Sequence, residues 1–291
     1  MKRFATEQDM ARHKTLEPII AEIQEHQRVR KALMKMIFAI NNKSAAFVRR
    51  LLGFSTFTKN DEELKAMNAI RDKARKIFKQ IVTGKLDSSV DCDPVIYNLA
   101  EQVVKSGQIS IKQWSLQKTA IEKRMIELAK QLPCQEFVKN TRGFSIFGLA
   151  IVIGETGNIS NYPSAAHLRK RAGVSPPAVY NAPDKNGNIV CMIPRARRSV
   201  FWTLSDAMLK SNKKHPDAYR VMYETHKALE QARIPKLTPM HCHRRAQRVM
   251  EKLFLKNLWT AWIVEVGLLG KPLCVKNYAT AEIESNDVLC A

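Results

Sequence analysis

The first 140 residues offer no convincing strand pattern, and this limits the fold more than any motif does. A sheet-based nuclease domain needs several β-branched stretches with a period of two. What recurs instead is a spacing of three and four. In IIAEIQEHQRVRKALMKMIFAI it places Ile20, Ile23, Val29, Leu33, Met36 and Ile37 near one face, with Arg28, Arg30, Lys31 and Lys35 largely off that seam. The pattern predicts one or two long helices over residues 6–52, as a helical hairpin or coiled coil. Gly53 closes that block. A second helix is predicted from Thr58–Asp61 to Gly84, a third over 94–106, and a fourth from Ile109 to Pro133. The fourth carries Ile111, Trp114, Leu116, Ile121, Met125, Leu128 and Leu132 as a packing stripe. Asp91 and Asp93, in VDCDP, are the closely paired carboxylates outside these helices and read as turn formers.

From residue 137 the texture changes to short helices separated by Gly and Pro turns. NIVCMI, after the DKNGN turn, is the best strand candidate. A basic helix is predicted from Arg195, another over 216–231, and a long last one from Pro239 to Gly267. The fold class is therefore mainly α. A long N-terminal helical hairpin or coiled-coil region (1–134) leads into a compact helical domain (135–270) with at most a short hairpin, and a tail follows (271–291).

Charge narrows the partner. Against 27 acidic residues stand 48 Lys and Arg, a formal net charge of +21. That excess favours a polyanion, because each neutralised phosphate releases condensed counterions. A membrane is the competing polyanion, but no apolar run approaches the ~20 residues that span a bilayer. The six cysteines are scattered without a C-x-x-C pair, which argues against a disulfide framework or a zinc ribbon and for reduced thiols in a cytoplasmic, nucleoid-associated protein. No cofactor is evident.

Two basic clusters stand out: Arg169, Lys170 and Arg171 before Gly173, and Arg195, Arg197 and Arg198 at a helix start. Guanidinium groups grip phosphates in bidentate geometry, but a solvated basic face has the same composition. Arg142, Gly143 and Gly148 form either a turn whose backbone N–H groups point at a phosphate or a glycine-mediated packing contact. His241, Cys242 and His243 lie too close in sequence to share a helix face, so capping and packing explain them better than a metal does. Trp259 and Trp262, three apart in an apolar helix, read as core.

The segment Arg142–Pro183 resembles the C-terminal domain of the IS-one-ten family of insertion-sequence transposases. The resemblance is carried by Gly143, Gly148, Ala150–Ile153, Glu155, Gly157, Ile159, Tyr162, Pro163, Ser164, Leu168, Ala172, Gly173, Val174 and Pro176. It continues more loosely through His215–Tyr219 and the HRRAQRVMEKLFLKNLW helix, while residues 20–53 are similar to the helical linker that precedes this domain. The resemblance implies a protein of DNA transposition and recombination that binds DNA, with a guide-like RNA as a further candidate. It implies a homo-oligomer, or pairing with a full-length transposase. Family members begin with a ribonuclease-H-like domain holding four metal-binding carboxylates, and no counterpart is expected here. The family also places a nucleophilic serine after a tyrosine in the loop that follows. With Tyr180 aligned, Asn181 and Ala182 stand there, and alanine offers no nucleophile. The catalytic residues are therefore unknown. The alternative to an active transposase is a non-catalytic helical regulator that binds nucleic acid.

Overall fold

The computed structural model describes residues 7–57, 60–85, 91–176, 181–183, 188–191 and 193–267. Among these the chain is mainly helical. The elements are α1 (Glu7–Leu51), α2 (Asp61–Thr83), α3 (Pro94–Ala129), α4 (Gln135–Asn140), α5 (Ile146–Thr156), a 3-10 turn (Ile159–Asn161) and α6 (Ala165–Ala172). They continue with β1 (Asn181–Pro183), β2 (Ile189–Cys191), α7 (Arg195–Ser211), α8 (Ala218–Gln231) and α9 (Pro239–Glu265). The strands form one antiparallel pair, with Ala182 opposite Val190. The predicted tail lies outside the described residues.

Local chemistry sets the helix ends. Asn60 caps α2 by accepting from the Glu63 N–H, and Gly84 ends it in the left-handed region. Asp93 accepts from the N–H groups of Val95 and Ile96 at the start of α3, so its carboxylate serves a cap. Asp217 caps α8, and Thr238 with Pro239 opens α9.

The chain divides into two compact units, and the division differs from the expected break at 134/135. One unit comprises residues 1–27 with 124–291, the other 28–123. The reason is packing by the start of α1. Leu16, Ile20 and Ile23 are buried, Gln27 donates to Glu155 at 2.8 Å, and Asn158 donates to Glu17 at 2.7 Å. These contacts draw the N-terminal residues into the same unit as α5.

Within that unit, α9 is the central helix. Cys242, Ala246, Met250, Phe254, Leu258, Ala261 and Trp262 recur along its inward face and are buried. α5 is buried on nearly every side from Gly148 to Ile153, which explains its uninterrupted apolar sequence. Phe144 meets Phe254 edge-on at 4.8 Å, with Phe137 and Tyr219 completing the aromatic cluster. The tryptophans are core and near-core as expected. Trp262 is fully buried and donates to Ser160, and the Trp259 indole donates to the Tyr162 carbonyl.

In the unit spanning 28–123, Val48, Ala74, Ile77, Ile81, Ala100 and Val104 form the core where α1, α2 and α3 meet. The third and fourth predicted helices are one continuous helix, α3. Gly107 falls inside it because a Cβ there would come within 3.0 Å of Ile40 and Ser44. This glycine permits a close helix–helix approach and does not mark a turn. Two of the residues assigned to the α1 seam, Val29 and Met36, are about 40% exposed. The buried positions of α1 within this unit are Leu33, Ser44 and Val48. Leu116, grouped by periodicity with the packed face of α3, is also exposed.

Candidate nucleic-acid interface

The two basic triplets are separated by more than twenty residues of sequence, yet they meet. α6 ends in Arg169, Lys170 and Arg171, a placement its own dipole favours. The chain then turns at Gly173, whose φ of 80° suits a residue without Cβ. The Gly173 N–H bonds the Lys170 carbonyl, and the Val174 N–H bonds that of Arg169. A Cβ on Gly173 would lie 3.1 Å from the Arg198 Cβ and 3.3 Å from the Pro194 ring. The end of α6 therefore rests against the first turn of α7, and their basic residues share one surface.

The six side chains are not equivalent. Arg198 is committed inward, with its guanidinium 2.8 Å from the Glu251 carboxylate, which is 2% exposed. Ser205 donates to the other Glu251 oxygen at 2.7 Å, and Gln247 donates to the Ser205 hydroxyl at 2.7 Å and to the Trp202 carbonyl. Burial pushes the Glu251 carboxyl above its usual range, although Arg198 and Ser205 oppose the shift. This network ties α7 to α9, so Arg198 acts as a tether and not as a phosphate ligand.

The charges of Arg171 and Arg197 both act on the Tyr162 phenol. Burial raises the phenol's pKa, while the two guanidinium charges and a hydrogen bond from Arg171 pull it down. The hydroxyl donates to the Thr156 carbonyl, which fixes its position. Arg195 is exposed and has no acidic partner among the described residues, and Lys170 is exposed as well. Arg169 is half-buried at the edge of the group. The N-cap residue Pro194 supplies no side-chain cap to α7, and the helix's positive dipole end adds to the same field.

Arg142 and its glycines lie elsewhere. A Cβ on Gly143 would fall 2.7 Å from the Met208 Cα, and Asn212 donates to the Arg142 carbonyl. That places Arg142 at the far end of α7, about 20 Å along the helix from Arg197. The Gly148 N–H is occupied by the Ser145 cap, and its Cα faces the Phe144 ring. Of the two readings of this turn, the geometry takes packing. Arg142 itself is exposed but separate from the α6–α7 surface.

The remaining candidates are placed as follows. His243 shares a hydrogen bond with the Tyr223 hydroxyl at 2.8 Å, Cys242 is buried, and the His241 N–H reaches the Thr238 cap. No group of three His, Cys, Asp or Glu gathers among the described residues. Likewise, no helix among them is long and apolar enough to cross a membrane. Tyr180 and the 184–187 turn lie outside the described residues, while the backbone of Ala182 pairs in the β1–β2 ladder.

Sequence reasoning missed Gln247 and Glu251. The signal was there: they are spaced by four on the line that continues through Leu255, Leu258 and Trp262, so two polar residues interrupt an otherwise apolar face. Comparison of the chain with protein-family models, curated proteins and solved structures finds no match.

Proposed function

We propose that this chain is a DNA-binding protein of transposase type, associated with the transposition and recombination of an insertion sequence, and that it grips nucleic-acid phosphates at the junction of α6 and α7. The observation that carries the reading is the meeting of two distant basic segments on one surface, with Arg171, Arg195 and Arg197 available there. Five positive charges around one helix start, with Arg198 tied to Glu251, suit a phosphate backbone, since its spacing presents several anions at once. The net charge of +21 and the family resemblance of residues 142–183 point the same way.

The chemistry assigned to the site is binding without strand transfer. Alanine stands at 182, where the family resemblance puts a nucleophilic serine, and a methyl group can neither attack a phosphorus nor hold a covalent intermediate. The accompanying role is regulation of an intact transposase by competition for its DNA ends or by pairing with it.

The assay is incubation with labelled insertion-end duplex and Mg2+, alone and with an active family member. Binding without cleavage, and reduced cleavage in the mixture, are the expected results. Cleavage by this protein alone would overturn the assignment at Ala182. Equal affinity for every duplex, with no effect in the mixture, would reduce it to a general DNA-coating protein.

A further inference from the structure

α7 carries an aromatic side chain that its own unit leaves open. Trp262 is fully buried, whereas Trp202 is 40% exposed. Its backbone is nonetheless fixed, because the Trp202 carbonyl accepts from the Ser205 hydroxyl at 2.9 Å and from the Gln247 amide at 3.1 Å. The same contacts show that α7 and α9 run antiparallel here. As α7 advances from Arg198 to Ser205, its partner on α9 recedes from Glu251 to Gln247.

That pairing places two arginines on either side of the indole. Arg195 lies about 20° around α7 from Trp202 and about 10 Å before it along the axis. Trp202 stands three residues before Ser205, which faces α9, and Arg244 stands three residues before Gln247, which faces α7. In an antiparallel pair equal offsets turn to the same side, so Arg244 shares the Trp202 surface about 10 Å beyond it. Arg195, Trp202 and Arg244 are all exposed, and neither arginine has an acidic partner among the described residues. Asp206, one turn on from Trp202, is held by Lys210 at 2.7 Å, which leaves the strip basic.

We propose that Trp202 is a stacking platform for an unpaired DNA base, with phosphates of that strand held by Arg195 on one side and Arg244 on the other. An open indole between cations offers its face to a base, and every base has a face to match it. The interior of a duplex cannot use the platform, since neighbouring pairs cover both faces of each base. The ligand is therefore a strand end, a gap or a single-stranded extension beside the duplex held at the α6–α7 junction. One exposed aromatic side chain is too small for a specific protein interface, and the flanking charges match a phosphate backbone. This role rests on the nucleic-acid reading of that junction and adds the form of DNA it prefers.

The test compares the full chain's affinity for a blunt insertion-end duplex with that for the same duplex carrying a short oligothymidine extension. The parent chain should bind the extended form at least ~10-fold more tightly. Trp202→Ala should bring that ratio to within ~2-fold of unity, while Trp202→Phe, which keeps a ring, should retain a ratio of at least ~3. The extension should also quench tryptophan fluorescence more in the parent than in Trp202→Phe, a readout that does not depend on the alanine variant folding. A parent chain that binds both duplexes equally, or a folded Trp202→Ala chain that keeps the full preference, would overturn the platform and leave the α6–α7 grip standing. Equal quenching in the parent and Trp202→Phe would do the same. A chain that binds neither duplex would overturn both.

Discussion

Glu251 is the residue on which the basic surface hangs. It holds Arg198 beneath α7 and leaves Arg195 and Arg197 projecting. Because burial raises its carboxyl pKa, the folded chain binds this proton more tightly than the unfolded chain does. Stability from this group is therefore greatest below the ordinary carboxylate range and falls as pH rises toward the raised value. Glu251→Gln should flatten that slope in urea unfolding measured between pH 4 and 8. Glu251→Ala, which strands Arg198, should cost about 3 kcal/mol at neutral pH. A steric prediction belongs at the same scale. Gly143→Ala combines a positive φ with a 2.7 Å approach to the α7 backbone, and should lower stability by about 2–4 kcal/mol in the same assay. The sequence showed Arg195, Arg197 and Arg198 as one cluster. Which of them turns inward depends on where α9 carries its carboxylate, and spacing along α7 holds no trace of that.

Among elements, the ends were the legible part. Asn60, Gly84, Asp217 and Thr238 with Pro239 are local signals whose hydrogen bonds close within a few residues, so the sequence carries them intact. Gly107 misled because a glycine serving a close approach to Ile40 and Ser44 looks the same in sequence as one serving a turn. Leu116 misled for a related reason: a helix with two apolar faces gives one periodicity and hides which face is packed. The cap predictions are correspondingly local. Asn60→Ala should lower stability by about 1 kcal/mol in denaturant unfolding, with no effect on DNA affinity. An equal loss of affinity would show that α2 contributes to the interface.

For the whole molecule, the division into units runs through the interior of α1 and the last two turns of α3, where no glycine, proline or polar linker marks a boundary. Contacts such as Gln27–Glu155 define it, across 128 residues of chain, and periodicity does not register them. The charge excess, by contrast, was visible at once. What composition could not do was separate a diffuse basic surface from a built one. A net charge of +21 attracts any polyanion, whereas an α6–α7 grip concentrates the contacts on a few side chains. The affinity of insertion-end duplex, followed against salt concentration, tells them apart. Replacing Arg171, Arg195 and Arg197 together with Ala removes three of 48 basic residues. If these three neutralise phosphates, the slope of log K against log salt should fall by about 2–3, with helical content unchanged. A slope equal to that of the parent protein would contradict the assignment of the α6–α7 junction as the nucleic-acid interface.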